Sequence, residues 1–333
     1  MMNLIREDLR AFQAYSSARC EASQGRVWLN ANESPWENGL NRYPDPQPQA
    51  LAMKMAEYYG VAQDELLITR GSDEAIDLLI RLFCRFGQDA ILVKDPSYGM
   101  YEVSARLQGA AVIKSVALRQ DWNPRVKIAF ICSPNNPTGE LISVTEIEAL
   151  CQEWAGQTMI VVDEAYIEFA NQASLAALIN RYDNLVVLRT LSKAFGLAGI
   201  RCGVILAAAP LITCLKKIIA PYPIAKPTAD LALQAFEPSA LAETLRQITL
   251  IQSERARLCS VLAGCPDVIK VWPSEANYVL IKVTDAQKKM AQCQAVGVIL
   301  RRFERNPLLD NCIRLSIGLP AENDQVIALF GGK

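Results

Sequence analysis

The stretch VLRTLSKAFGLAGIRCG, Val187 to Gly203, leads from an apolar run into a polar turn that carries Lys193. An apolar run that stops at a polar turn is typical of a buried strand that enters a loop. The chain has no histidine among its 333 residues, which excludes Ser-His-Asp and Cys-His catalysis and any histidine base. Acid–base chemistry would therefore depend on Lys, Tyr, Asp, Glu or Cys, and Lys193 is the first candidate.

Short apolar runs of the same kind recur along the first two thirds of the chain, with amphipathic segments between them. They are ELLIT, DAILV, AAVIKSV, VKIAFI, TMIVV, NLVVL and GVILA. Helical patterns fill several of the gaps, for example from Asp73 to Phe86, with Ile76, Leu79, Ile80 and Phe83 on one stripe. The alternation predicts an α/β domain whose mostly parallel, seven-stranded sheet is covered on both faces.

The pattern changes at Pro227, where a long amphipathic helix is predicted through about Leu262, followed by a β-α-β-like tail. We predict a large domain over residues 28–226. A smaller α+β domain would combine residues 1–27 with residues 227–333. The proline-rich segment NRYPDPQPQ is interpreted as a rigid, exposed connection.

The charges nearly cancel, since 34 Lys and Arg oppose 35 Asp and Glu. This balance gives no electrostatic footprint for nucleic acid, so small anions would be bound by a few placed arginines. We see neither an apolar run long enough to span a membrane nor a signal peptide, and we expect a cytoplasmic protein. The ten cysteines form no CxxC pair, so no metal site is predicted and most are interpreted as buried thiols.

Polar residues follow the predicted strands at the edge where α/β sheets bind ligands. Asp163 and Tyr166 follow TMIVV, Ser192 and Lys193 follow NLVVL, and the segment CSPNNPTG follows KIAFI. After ELLIT, the segment RGSDE opens a helix. We expect a carboxylate, an amine, an amide, a phenol and a helix N-terminus to meet at this edge.

Each of these residues has an ordinary interpretation as well as a functional one. Asp163 could cap a helix, or it could pair with a protonated ring nitrogen. Lys193 could be a solvated turn residue, or a shielded amine that attacks carbonyl groups. Ser192, Arg201 and the backbone N–H groups of Gly71 and Ser72 suit a phosphate. Taken together the set matches pyridoxal phosphate, which needs a lysine, a carboxylate and phosphate donors.

The sequence resembles the fold-type I pyridoxal-phosphate aminotransferases, and within them the branch that acts on histidinol phosphate. The resemblance covers almost the whole chain. It rests on the ordered motifs VWLNANESP, NRYPDPQP, TRGSDEAIDLLIRLF, DPSYGMY, CSPNNPTG, VVDEAYIEF, RTLSKAFGLAGIRCG, IAPYP, ANYVL, GVILR and IRLSIG. It implies pyridoxal 5'-phosphate as cofactor and a homodimer with shared active sites.

The resemblance also assigns roles to the cofactor-binding residues. Lys193 would bond to the cofactor aldehyde and then move the proton between substrate and cofactor, and Asp163 would keep the ring nitrogen protonated. Tyr166 and Asn136 would bind the ring hydroxyl, while Tyr98 would stack on the ring or serve as a core aromatic. The phosphate would be held by Ser72, Asp73 through its backbone N–H, Ser192, Arg201, and Tyr43 from the partner subunit.

Substrate binding would involve the second domain. Arg314 in IRLSIG matches the arginine that binds an α-carboxylate or an equivalent anion, and Arg301 in GVILR matches a second anion-binding arginine. Tyr15, Asn32 and Tyr222 would line the pocket, although packing or capping explains these three equally well.

The implied reaction is the reversible transfer of an amino group between histidinol phosphate and 2-oxoglutarate, in histidine biosynthesis. The alternatives are an aromatic amino acid aminotransferase or a threonine-phosphate decarboxylase-like enzyme with the same cofactor. A cofactor-sensing transcription regulator is disfavoured, because the 27 residues before WLNANE carry no helix-turn-helix pattern.

The chain departs from the family between AAVIKSV and VKIAFI, where only Ala117 to Arg125 connects the two strands. If the first is an edge strand and the second lies two places inward, the connection must cover a diagonal of about 22 Å. Nine extended residues reach roughly 30 Å, whereas nine helical residues span about 14 Å. We therefore predict an extended connection without a helix, with Trp122 laid over the sheet face and the edge strand less protected than in relatives.

Overall fold

The computed structural model describes residues 1–16, 25–304 and 306–331. Its larger part is built on a seven-stranded sheet, which contains all seven apolar runs predicted as strands. The strands are Leu66–Thr69 (β1), Ala90–Lys94 (β2), Ala111–Ser115 (β3), Val126–Cys132 (β4), Met159–Asp163 (β5), Leu185–Thr190 (β6) and Gly203–Ala207 (β7).

The order of strands across the large sheet is β1-β7-β6-β5-β4-β2-β3. The pairs from β3 to β6 are parallel, and β7 runs antiparallel to both of its neighbours. Every residue of β5 and β6 is buried, as expected for parallel strands covered on both faces. The predicted mostly parallel seven-stranded sheet is confirmed.

Helices precede the first strand, separate several of the others and follow the last. They are Glu7–Arg10 (α1), Gln49–Tyr59 (α2), Gly71–Phe83 (α3), Met100–Leu107 (α4), Leu118–Asp121 (α5), Val144–Glu153 (α6), Ala209–Ile218 (α7) and Lys226–Gln234 (α8). In α3 the predicted apolar stripe is buried, but the predicted bounds, Asp73 to Phe86, were wrong. The chain leaves the helix after Phe83 because the Asp89 carboxylate binds the backbone N–H of Arg85 at 2.8 Å.

The short connection between β3 and β4 contains one helical turn, so the prediction of no helix from Ala117 to Arg125 was wrong. The turn is α5, and β3 lies at the sheet edge two places from β4, as assumed. Trp122 is half-buried, stacks on Trp154 with ring centroids 6.0 Å apart, and donates from Nε1 to Thr158 Oγ1 at 2.9 Å. Trp122 therefore covers the sheet through its contacts with residues that lie just before β5.

The remaining chain forms a smaller α+β unit around a four-stranded antiparallel sheet of order β10-β11-β9-β8. Its elements are Pro238–Ala263 (α9), Val268–Val271 (β8), Tyr278–Val283 (β9), Ala286–Ala295 (α10), Arg301–Arg302 (β10), Cys312–Ser316 (β11) and Pro320–Leu329 (α11). The single long helix predicted from Pro227 was wrong, since α8 and α9 are separate and Pro238 begins the second. Within the described ranges, no helix has both the length and the apolar character that a membrane span requires.

The N-terminus packs on the large sheet unit. Leu4 and Ile5 belong to its hydrophobic core, and Arg6 donates its backbone N–H to the carbonyl of Leu82 at 3.1 Å. This placement of the first residues differs from the predicted assignment of residues 1–27 to the small domain. Phe236 also joins the large core, so the core extends past the predicted boundary at 226.

The two edges of the large sheet are protected in different ways. At β1, the Gln47 side chain accepts from the Ile68 N–H at 2.8 Å and donates to the Ile68 carbonyl at 3.2 Å. The proline-rich segment that contains Gln47 is therefore half-buried on the sheet and not simply exposed. At β3, the exposed Lys114 forms an ion pair with Glu102 at 2.6 Å.

Candidate active site

The carboxyl ends of β4, β5 and β6 bring the predicted polar residues to one edge of the large sheet. Asp163 is the last residue of β5, Lys193 follows β6, and Asn136 follows β4. Parallel neighbours in the sheet present these ends side by side, because β4 pairs with β5 and β5 with β6. The structure therefore places Asp163, Lys193 and Asn136 at the same edge of the sheet.

Asp163 is a buried carboxylate, with 2 % of its surface exposed. Its Oδ2 atom accepts from the Tyr101 hydroxyl at 2.7 Å, and its Oδ1 atom accepts from the Ala165 N–H at 3.1 Å. Among the described residues, these neutral groups are the hydrogen-bond donors to the carboxylate. Burial raises the pKa of Asp163 to about 6, and the two hydrogen bonds oppose that rise. The site therefore suits a cationic N–H partner.

Lys193 faces the same group of residues. Its Nζ atom lies 5.6 Å from the centroid of the Tyr166 ring. Burial lowers the pKa of Lys193, and the positive charge of Arg314 lowers it further, while Asp163 and Asp73 act in the opposite direction. A lowered pKa increases the fraction of neutral amine, which is the nucleophilic form.

A second set of contacts joins the small sheet to the large one. Arg314 donates from Nη1 to Asn136 Oδ1 at 2.5 Å, and its guanidinium lies 5.2 Å from the Tyr278 ring centroid. Tyr278 meets Tyr166 edge to face at 5.0 Å and donates its hydroxyl to the Asn135 carbonyl at 2.8 Å. These contacts hold an arginine of the small sheet over the strand ends of the large one.

The N-terminus of α3 forms the side of the site where an anion would bind. The first N–H groups of a helix have no intrahelical acceptors, and here no capping side chain accepts from them. Gly71 has a φ of +76°, and a Cβ atom there would lie 2.8 Å from Nη2 of Arg201. Only glycine therefore allows Arg201 to pack this closely on the helix end. Ser192 lies in the adjacent turn, where its hydroxyl accepts from Thr190 Oγ1 at 3.0 Å.

Asp73 links this anion site to Tyr98. Its carboxylate accepts from the Tyr98 hydroxyl at 2.9 Å and from Arg201 Nη2 at 3.2 Å. The side chain of Asp73 therefore positions both residues, a role that sequence reasoning missed because it considered only the backbone N–H.

Other predicted site residues lie outside this group of contacts. Tyr43 and Tyr222 stack on each other with ring centroids 4.6 Å apart. Arg301 is opposite Arg314 across β10 and β11 but is exposed. Tyr15 and Asn32 are also exposed, and Asn32 has a φ of 54°. The stacking of Tyr43 on Tyr222 and the pairing of Arg301 with Arg314 do not involve Lys193.

Sequence reasoning missed two tyrosines of the site, Tyr101 and Tyr278. Both lie in motifs that it did identify, DPSYGMY and ANYVL. Tyr101 follows Tyr98 by three residues at the start of α4, and the two rings lie 5.6 Å apart. That spacing was a usable signal, whereas the position of Tyr278 depends on how the two sheets pack.

Comparisons with known proteins agree with this arrangement. The family model for aminotransferase class I and II matches residues 22–329. The chain belongs to the class I and II aminotransferases. A histidinol-phosphate aminotransferase of Stenotrophomonas maltophilia (strain R551-3) is 45% identical over 353 aligned positions, which cover 100% of this chain and 97% of that protein.

Solved aminotransferase-type structures share the fold. A histidinol-phosphate aminotransferase from Sinorhizobium meliloti, in complex with pyridoxal-5'-phosphate, matches with a TM-score of 0.78 and 22% identity over 87% of this chain and 83% of that chain. An L-threonine-O-3-phosphate decarboxylase from Porphyromonas gingivalis matches with a TM-score of 0.77 and 22% identity over 88% and 90%. At these identities the likeness concerns the fold, and it is the same for both types of enzyme.

Proposed function

We propose that this protein is a pyridoxal-phosphate-dependent histidinol-phosphate aminotransferase. It would transfer an amino group reversibly between histidinol phosphate and 2-oxoglutarate, giving imidazole-acetol phosphate and glutamate. The observation that carries the proposal is the meeting of Lys193, Asp163 and Arg314 at one sheet edge, in a chain 45% identical to a histidinol-phosphate aminotransferase over its whole length.

The residues present fit pyridoxal phosphate on three counts. Asp163 is a buried carboxylate held by neutral donors, which a protonated ring nitrogen would complement. Lys193 is an amine of lowered pKa. The uncapped N-terminus of α3 with Arg201 packed against Gly71 supplies donors for a phosphate. When bound, the cofactor supplies an electron-withdrawing ring that acidifies the Cα–H bond of an attached amine.

Around the ring, Lys193 Nζ would hold the cofactor and then carry the proton between two carbon atoms. Asp163 would accept a hydrogen bond from the ring nitrogen and keep that nitrogen protonated. Asn136 accepts from Arg314 through Oδ1, and its Nδ2 group could donate to the ring hydroxyl beside Tyr166. Tyr98 would cover one face of the ring.

The phosphate would be bound by donors from several segments. Ser72 and Asp73 contribute backbone N–H groups at the start of α3, and Ser192 and Arg201 contribute side chains. Tyr43 would reach the phosphate of the partner subunit.

Arg314 would bind the substrate anion. Its guanidinium is held by Asn136 and Tyr278, and its Nε atom is buried without a hydrogen-bond partner among the described residues. A planar guanidinium suits both the carboxylate of glutamate and a phosphate ester. Arg301, opposite it on β10, would bind the second anionic group, and Tyr15, Asn32 and Tyr222 would line the outer pocket.

We further propose a homodimer with shared active sites. The segment before α2 exposes large apolar side chains, among them Leu29 at 86%, Trp36 at 78% and Leu40 at 62%. Several large apolar side chains exposed in one segment suit a protein–protein interface, and a second copy of the chain is the partner that the Tyr43 assignment requires. We also propose a cytoplasmic location, because the phosphorylated and charged substrates of the proposed reaction do not cross a bilayer unaided.

One assay tests the reaction. Purified protein with pyridoxal phosphate is given histidinol phosphate and 2-oxoglutarate, and the glutamate formed is measured. Parallel reactions contain phenylalanine in place of histidinol phosphate, or threonine phosphate alone with release of carbon dioxide measured. Rapid glutamate formation from histidinol phosphate is the expected result. Faster turnover of phenylalanine, or decarboxylation of threonine phosphate, would replace the proposal with that alternative.

A further inference from the structure

Tyr101 is fully buried and is in contact with Asp163. Its ring stacks on Phe130 with centroids 4.7 Å apart and meets Tyr98 edge to face at 5.6 Å. Its hydroxyl donates to Asp163 Oδ2 at 2.7 Å. We infer that Tyr101 is a positioning residue, which orients the Asp163 carboxylate and keeps it ionised for the ring nitrogen of the cofactor. This inference rests on the proposed function.

The hydroxyl of Tyr101 is not needed to fill space. A phenylalanine would make the same ring contacts with Phe130 and Tyr98, and a buried hydroxyl is costly unless it finds a partner. The partner here is Asp163. Tyr59 offers a comparison, because its hydroxyl is also buried but has no hydrogen-bond partner among the described residues.

The direction of the hydrogen bond is fixed by the chemistry of the two groups. Burial raises the pKa of Tyr101 well above its ordinary value, and the negative charge of Asp163 raises it further. Tyr101 therefore stays protonated and donates, and an ionised Asp163 accepts. A hydrogen bond of this kind stabilises the charged form of the carboxyl group.

The bond also leaves room for the cofactor. A carboxylate offers about four lone-pair positions, of which Tyr101 takes one on Oδ2 and the Ala165 N–H takes one on Oδ1. With one donor on each oxygen, the plane of the carboxylate is fixed between β5 and α4. A third donor can still be accepted.

Other groups that face Asp163 are charged or titratable, and their influence must be separated from that of Tyr101. They are Asp73 from α3, Cys132 from β4, Lys193 from the turn after β6, Tyr98, Tyr166 and Tyr278. Tyr101→Phe leaves all of them in place. A hydrogen bond to an ionised group contributes enough that its removal should raise the pKa of Asp163 by about 1 to 2.

The test measures the dissociation constant of pyridoxal phosphate for the full-length protein between pH 6.0 and 8.5, in wild type and Tyr101→Phe. If the pKa of Asp163 rises by 1 to 2 from about 6, the affinity ratio of wild type to variant should be about 5-fold to 50-fold at pH 6.0 and under twofold at pH 8.5. Tyr59→Phe is the matched control, and its ratio should stay near one at both pH values.

A double-mutant cycle with Asp163→Asn shows whether Tyr101 acts through Asp163. In the Asp163→Asn background, Tyr101→Phe should no longer produce a pH-dependent change in affinity. A ratio that does not vary with pH, or an equal effect in both backgrounds, would overturn the inference. A lower thermal midpoint of Tyr101→Phe that is the same at pH 5 and pH 8 would also do so, since it would indicate a packing role.

A further measurement distinguishes an error in the role of Tyr101 from an error in the proposed function. Wild-type turnover of histidinol phosphate is measured in the same preparations. If wild type binds the cofactor and forms glutamate while the affinity ratio stays flat, only the role of Tyr101 is wrong. If wild type does not bind pyridoxal phosphate, both conclusions are overturned.

Discussion

Replacement of Asp163 by asparagine should stabilise the cofactor-free protein near pH 8 while abolishing transamination. Burial raises the pKa of Asp163 from 3.8 to about 6. A carboxyl group whose pKa is higher in the folded state than in the unfolded state favours folding below pH 3.8, and this contribution is lost as the pH rises through about 6. At pH 8 the ionised, buried carboxylate therefore destabilises the fold.

The size of the effect follows from the difference between the two pKa values. That difference corresponds to about 3 kcal/mol in the free energy of unfolding. Asparagine has a single acceptor oxygen, which can keep the bond with Tyr101, but the bond from the Ala165 N–H is lost. That loss offsets the gain by about 1 kcal/mol. The net gain of about 2 kcal/mol corresponds to roughly 3 °C in the thermal midpoint for a chain of this length.

The assay is thermal unfolding of the cofactor-free variant and wild type at pH 8 and at pH 4.5. The gain should shrink at pH 4.5, where Asp163 is largely protonated. Asp89→Asn is the matched control: burial would raise the pKa of Asp89, but its bonds with Arg85 outweigh burial and lower it. Asp89→Asn should therefore lower the stability of the protein at pH 8, in contrast to Asp163→Asn. An Asp163→Asn protein less stable than wild type at pH 8, or a gain independent of pH, would refute the reasoning.

Three further predictions concern the site and the crossover. Lys193→Ala should still bind pyridoxal phosphate but lose the visible absorbance of the lysine-bound cofactor and essentially all transamination; unchanged absorbance would contradict its assignment. Mixing a Tyr43→Ala chain with a Lys193→Ala chain should give more activity than the two parents together, because one hybrid site is intact; activity equal to their sum would argue against shared sites. Trp122→Ala should destabilise by about 3 kcal/mol in urea unfolding, the low end for a tryptophan because Trp122 is only half-buried. The cause is the loss of its contacts with Trp154 and Thr158; kcat should stay unchanged, and a large fall in kcat would contradict this.

The central strands could be predicted from the sequence because parallel strands buried on both faces are written as continuous apolar runs. The polar residues that end or follow those strands, such as Asp163 and Lys193, could also be predicted, since the strand ends of one sheet share an edge. Tyr278 could not, because its position over Tyr166 depends on how the small sheet packs on the large one. The placement of Leu4 and Ile5 likewise depends on long-range packing that leaves no local pattern.

The crossover shows the limit of an argument from chain length. Nine extended residues exceed the required span, so the connection has slack. The four residues of α5 cover about 6 Å, and five extended residues cover about 17 Å, which together still reach the diagonal of about 22 Å. A helix through all nine residues would be too short for this span, whereas a single turn fits it.

Because the two edges of the large sheet are protected differently, dissolved salt should weaken the protection of the β3 edge and leave that of the β1 edge unchanged. At β1 the amide of Gln47 replaces the hydrogen bonds of a neighbouring strand, and such bonds are insensitive to dissolved salt. At β3 the protection rests on the charge of Lys114, next to the exposed Val116, and charges at a surface are screened as salt is added. Self-association in concentrated salt would therefore begin at β3.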